Sequence, residues 1–129
     1  MKRVNIVTLQ GKWNYGNRLQ NYATSRIYES MGFEACSLVL KDPEERIKTA
    51  IKRVFRLSRN DPDRLMSFER KIAFERFDSL MEFKEVSNIE GIGKDDAWYS
   101  VGSDQVWSTA YAPKFDRWYF LAAVPRERR

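Results

Sequence analysis

Val4-Asn5-Ile6-Val7-Thr8-Leu9, then a loop, a helical stretch and a second apolar run, Glu34-Ala35-Cys36-Ser37-Leu38-Val39-Leu40, decide the fold of this chain. The first run is rich in β-branched residues and reads as a buried strand. Gln10 to Gly16 is a loop, and the spacing predicts a helix from about Asn17 to Met31. Leu19, Tyr22, Ala23, Arg26, Ile27 and Ser30 share one face of it, the apolar members recurring at three and four residues. Asn17 suits an N-cap and Gly32 a left-handed stop. Glu34 to Leu40 is the second strand. This is a βαβ unit, so its strands run parallel with a right-handed crossover.

Downstream, Asp42-Pro43-Glu44-Glu45 has the chemistry of a helix start. Ile47, Ile51, Val54 and Phe55 line one side of that helix, and Asn60-Asp61-Pro62-Asp63 stops it and starts another. The longer second helix is expected to reach about Phe83, which makes residues 41 to 85 a helical hairpin inserted between sheet strands. Gly91 and Gly93 mark a loop. Ala97 to Val101 is a third strand ending at Gly102. The last third is aromatic: Trp107, Tyr111, Phe115, Trp118, Tyr119 and Phe120. The fold class is α/β, in one domain spanning 1–129.

Composition excludes several chemistries. The chain has 129 residues, 43% of them hydrophobic, which is enough for a packed core. No apolar run approaches the roughly 20 residues that span a bilayer, and the short apolar start is not a signal peptide. A soluble, cytoplasmic chain is expected. Cys36 is the one cysteine and reads as a small buried hydrophobe; histidine is absent. A Ser-His or Cys-His pair and a zinc site of His/Cys type therefore cannot form, and no metal site is expected. The net charge of +5 is moderate. Its excess concentrates between Arg46 and Arg59, with six basic residues and no acidic one. That stretch is either a solvated face or a surface for anionic phospholipid or lipid-linked phosphate. Without an accompanying nucleic-acid module, no nucleic-acid partner is expected.

Two glycine-anchored polar segments each follow a strand. In Asn14-Tyr15-Gly16-Asn17-Arg18-Leu19-Gln20-Asn21-Tyr22, Gly16 precedes a helix N-terminus whose free amides attract anions or polar ligand atoms. Arg18 in the first turn opposes the helix dipole, so it either serves a phosphate or carboxylate or is an ordinary surface arginine. In Val101-Gly102-Ser103-Asp104-Gln105-Val106-Trp107, Asp104 is a general base, a sugar-hydroxyl ligand or the N-cap of a following helix. Gln105 offers a donor and an acceptor. Trp107 either stacks on a sugar or packs in the core.

Together the segments resemble the polysaccharide pyruvyl transferase family. The likeness runs through Asn14 to Asn17, Arg18 to Ala23, Gly32 to Glu34, the basic and aromatic stretch Lys41 to Lys84, Val101 to Trp107 and Tyr119 to Leu121. It implies transfer of an enolpyruvyl group from phosphoenolpyruvate to two hydroxyls of one sugar, often on a lipid-linked precursor of a cell-surface polysaccharide. It also implies a Rossmann-like N-terminal domain of a GT-B-like two-domain enzyme, peripheral at the inner face of the membrane, with no cofactor beyond the donor substrate. Asp104 is then the catalytic base, and Gly16, Asn17, Arg18, Asn21, Ser103, Gln105 and Trp107 contact substrate. The sequence stops where relatives continue into a second domain, so turnover by this chain alone is not expected; its partner is the missing half or a second copy. The rival reading is a non-catalytic α/β domain that docks a partner through its aromatic tail.

Overall fold

The computed structural model describes residues 2–11, 13–41, 66–102, 106 and 116–129. The basic stretch Arg46–Arg59, the first helix of the expected hairpin, and Ser103, Asp104, Gln105, Trp107, Tyr111 and Phe115 lie outside the described residues. The βαβ unit is present as β1 (Lys2–Val7), α1 (Tyr15–Ser30) and β2 (Phe33–Leu40). Then come α2 (Phe68–Asp78), β3 (Phe83–Val86), a 3₁₀ turn (Ile89–Gly91), β4 (Trp98–Val101), the four-residue α3 (Asp116–Tyr119) and a second 3₁₀ turn (Arg126–Arg128).

The described strands form one sheet, ordered β3-β2-β1-β4, with every neighbouring pair parallel. β1 aligns Val4 with Ala35 on one side and with Trp98 on the other. The sheet grows from β1 through β2 to β3, then returns to add β4 beyond β1. That reversal is a topological switch point, and in open α/β sheets ligands bind outside the carboxyl ends of the strands there.

Two expectations need correction here. The segment expected to close the hairpin ends its helix at Asp78, and Phe83–Val86 is a strand hydrogen-bonded to β2. Phe83-Lys84-Glu85-Val86 is short and half charged, so its own propensity is weak; the open edge of β2 recruits it. The other concerns α1, which starts earlier than expected: Asn14 is the N-cap, its Oδ1 accepting from the Asn17 amide at 3.1 Å. Gly32 does end the helix region at φ 84°.

The face of α1 turned to the sheet is the polar one. Asn21 and Ser25 are buried, while Leu19 and Ile27 are 58% and 60% exposed. The reason lies in the strands beneath. Ser37 on β2 donates to Asn21 Oδ1 at 2.7 Å, and Tyr28 donates its hydroxyl to Ser100 on β4 at 2.7 Å. Val4, Ile6 and Ala35 supply the apolar part of this layer, with Tyr28 and Phe33 packed on it.

The opposite sheet face carries the larger core. Val7, Cys36, Leu38, Val86 and Tyr99 pack there against Ile92, Ala97, Val106 and the C-terminal segment with Trp118, Tyr119, Leu121 and Val124. Trp118, part of the aromatic tail that the rival reading uses to dock a partner, is 2% exposed. Burying each such side chain contributes about 1.5–3 kcal/mol. Arg128 bonds the Asp95 carbonyl and pairs with Asp96, tying the C-terminal segment to the loop before β4. No helix among the described residues is long and apolar enough to cross a membrane.

Gly93 and Gly32 both hold positive φ, at 77° and 84°, but only Gly93 is crowded: an added Cβ would lie 2.6 Å from the Ala123 carbonyl oxygen. Gly32→Ala should cost about 1 kcal/mol, the ordinary penalty of a left-handed alanine, and Gly93→Ala about 3 kcal/mol as the C-terminal segment is displaced; urea denaturation of the two variants measures the order. Cys36 is completely buried, and burial, followed by the Glu82 carboxylate, pushes its thiol up to about 11. Its reaction with a disulfide reagent at pH 8 should therefore run no faster than unfolding, and a rate equal to that of a free thiol would contradict this packing.

Candidate functional site

The carboxyl end of β1 brings together three parts of the chain. Thr8 follows β1 and is 2% exposed. Gly102 follows β4, and its amide donates to the Val7 carbonyl at 3.0 Å. A Cβ on Gly102 would stand 3.2 Å from Gln20 Nε2 of α1 and 3.5 Å from Thr8 Oγ1. The two segments singled out from sequence therefore meet at Gly102, Thr8 and Gln20.

The first loop is fixed by its own polar groups. The Asn14 amide donates to the Gly11 carbonyl at 3.2 Å, and the Arg18 amide to the Asn14 carbonyl at 3.1 Å. The Asn17 side-chain amide occupies the space of a Gly11 Cβ, 2.8 Å away, so only glycine fits there without displacing it. Gly16 is exposed beside Asn14 Oδ1, and Asn17 is half-buried. Trp13 has φ 59°, a conformation that costs a bulky residue of order 1–3 kcal/mol and persists only where its surroundings enforce it. Here α2 does so: Phe74 meets the rings of Trp13 and Tyr15 at 5.3 and 4.9 Å.

Arg18 pairs with Asp78 of α2, Nε to Oδ1 at 2.8 Å, and donates from Nη1 to Gln10 Oε1 at 2.5 Å. Its guanidinium lies 5.7 Å from the Phe74 ring centre and 5.4 Å from that of Phe83. This partner accounts for a cation in the first helical turn, since a close, largely desolvated pair outweighs a few tenths of a kcal/mol of dipole opposition. Burial lifts the Asp78 carboxyl above its ordinary value, with Arg18 opposing that rise. The pair leaves this part of the rim close to electroneutral.

What remains unsatisfied is neutral and polar. Thr8 Oγ1, Gln10 Nε2 and Asn21 Nδ2 are buried without a hydrogen-bond partner among the described residues. An unpaired buried group costs about 1–3 kcal/mol, so three in one region need a physical reason. Donors and acceptors of this kind match the hydroxyls of a neutral ligand better than a phosphate. Among the described residues no group of His, Cys, Asp and Glu could hold a metal ion.

Sequence reasoning placed Gly16, Asn17, Arg18 and Asn21 on this loop and helix; it missed Thr8, Gln10, Gln20, Ser37 and Asp78. Thr8 and Gln10 carried a readable signal, as the first polar residues after an apolar strand run. Asp78 carried none, because only the packing of α2 on α1 brings it to Arg18. Family models, curated proteins and solved structures yield no match to this chain.

The Asn21–Ser37 contact can be tested as a brace. Ser37→Ala leaves the Asn21 amide wholly unpaired and should cost about 1–3 kcal/mol in denaturant unfolding. Asn21→Leu combined with Ser37→Ala should recover most of that loss, because an apolar pair of similar shape removes both desolvation penalties.

Proposed function

We propose that this chain is the N-terminal portion of a polysaccharide pyruvyl transferase, forming one wall of the cleft in a Rossmann-like, GT-B-like enzyme at the inner face of the membrane. The observation that carries the reading is the set of unpaired neutral groups on the loop after β1 and on α1: Thr8 Oγ1, which lies beside Gly102, with Gln10 Nε2 and Asn21 Nδ2. They suit the hydroxyls of an acceptor saccharide.

In the reaction, two hydroxyl oxygens of one sugar bond to C2 of phosphoenolpyruvate, and the C2–O bond to phosphate breaks. One hydroxyl proton moves to the methylene carbon, making it a methyl group, and the other leaves with the phosphate. Asp104, at the head of the segment after Gly102, takes a hydroxyl proton as general base. Ser103, Gln105 and Trp107 extend the acceptor contacts from the same segment. Arg18 acts as a positioning residue: by holding Gln10 Oε1 it leaves Gln10 Nε2 to donate to the sugar. The donor phosphate is held by groups other than Arg18, whose charge Asp78 already balances.

Saccharide binding tests this reading directly. Titrating the chain with a disaccharide should shift the backbone amides of Gly11, Gly16 and Gly102 saturably in the millimolar range, with Gln10→Ala and Arg18→Met each weakening binding several-fold. Amides that stay still up to about 50 mM sugar would end the acceptor-wall reading. The non-catalytic alternative draws on one observation: Leu19, Ile27, Met31 and Trp98 are each more than 40% exposed, apolar area suited to a partner chain. Sedimentation as a monomer at high concentration would count against it.

A further inference from the structure

A second recess lies on the other face of the sheet, beneath the connection from β3 to β4. In doubly wound sheets such a return crossing is usually made by a helix. Here residues 87–97 contain only the 3₁₀ turn Ile89–Gly91, and the crossing leaves a cavity of about 440 Å³ over β1, β2 and β3. That size falls within the range of small-molecule sites.

Its chemistry is two-sided. Leu38, Val86 and Ile92 give an apolar floor, and Asn5 of β1 is a buried polar group within it. Asn5 is 2% exposed, and its Oδ1 has no hydrogen-bond partner among the described residues. Lys84 and Lys94 stand at the rim, and neither forms an ion pair with another described residue. The two acidic residues of the lining are already engaged. Glu85 pairs with Lys41. Asp95 accepts from the Tyr99 hydroxyl at 2.8 Å and from Asn5 Nδ2 at 3.4 Å. The Tyr99 hydroxyl in turn accepts from the Gly93 amide at 2.9 Å, which holds that wall in place. Among the described residues, the recess thus holds two ammonium groups outside any ion pair at its mouth and one unpaired neutral acceptor on its floor.

We propose that this recess binds a small hydroxylated anion of the sugar-phosphate class. The phosphate lies between Lys84 and Lys94, a sugar hydroxyl donates to Asn5 Oδ1, and the carbon face of the ring rests on Leu38 and Ile92. Glu85 is neutralised by Lys41, and the one remaining carboxylate, Asp95, is outnumbered by the ammonium groups of Lys84 and Lys94, which favours an anion over a cation. The site lies across the sheet from Thr8 and Gly102 and does not rest on the proposed transferase activity.

The experiment is an amide-shift titration of the full chain with three probes: glucose 1-phosphate, glucose and inorganic phosphate. Glucose 1-phosphate should saturably shift Asn88, Gly91 and Lys94, and each of the other two should bind more weakly. Lys84→Met combined with Lys94→Met keeps both apolar stems and should weaken glucose 1-phosphate at least roughly tenfold with an unchanged circular dichroism spectrum. No saturable shift up to about 10 mM would overturn the proposal. So would equal binding by inorganic phosphate, undiminished binding by the double variant, or shifts confined to Gly11, Gly16 and Gly102, which would assign the ligand to the opposite rim.

Discussion

Everything at the rim depends on how α1 is held to the sheet, and it is held by directional bonds as much as by apolar contact. Ser37 reaches Asn21, and Tyr28 reaches Ser100, one bond to each strand flanking β1. Apolar surfaces tolerate sliding, whereas a buried hydrogen bond fails within a few tenths of an ångström. Two such bonds, on either side of the central strand, fix both the rotation of the helix and its position along the sheet. Gln20 is thereby set against Gly102, and the N-terminal turn beside the end of β1. The same choice turns Leu19 and Ile27 outward, where apolar patterning alone would have put them in the core.

That inversion marks the limit of what the sequence could tell. The βαβ unit was legible because β1 and β2 are apolar runs of strand length separated by a helix with a glycine stop, all local signals. Cys36 was legible as a core residue for the same reason. The buried face of α1 was not, because its partners, Ser37 and Ser100, sit on two different strands and only the fold brings them together. β3 was hidden in a charged tetrapeptide whose conformation is set by the neighbouring strand. At the site, the glycines and asparagines stood out as residues a core would not choose. The balance of charge did not, since Asp78 lies on a helix sixty residues from Arg18 in sequence.

The link between Arg18 and Asp78 gives α2 its role. With the Trp13, Tyr15 and Tyr22 rings set against Phe74 and Phe77, it joins α1, the loop before it and α2 into one packed layer. A cation left free at this position would draw any passing anion. Neutralised and stacked on aromatic rings, it orients a glutamine amide. The described part of the rim therefore offers hydrogen-bond geometry with little net field, and the two faces of the sheet differ in kind: neutral groups near α1, ammonium groups beneath the β3–β4 connection.

The strand order has a kinetic consequence. β1 emerges first in synthesis, yet one of its two edges stays vacant until β4, almost the whole chain later, arrives to pair Val4 with Trp98. The segment carrying Trp118 and Val124, which closes the larger core, comes later still. Parallel pairing between strands this far apart in sequence is slow to form, because loop closure must precede the contacts that reward it. During that wait β1 presents an unpaired edge, the kind of edge that invites pairing with other chains.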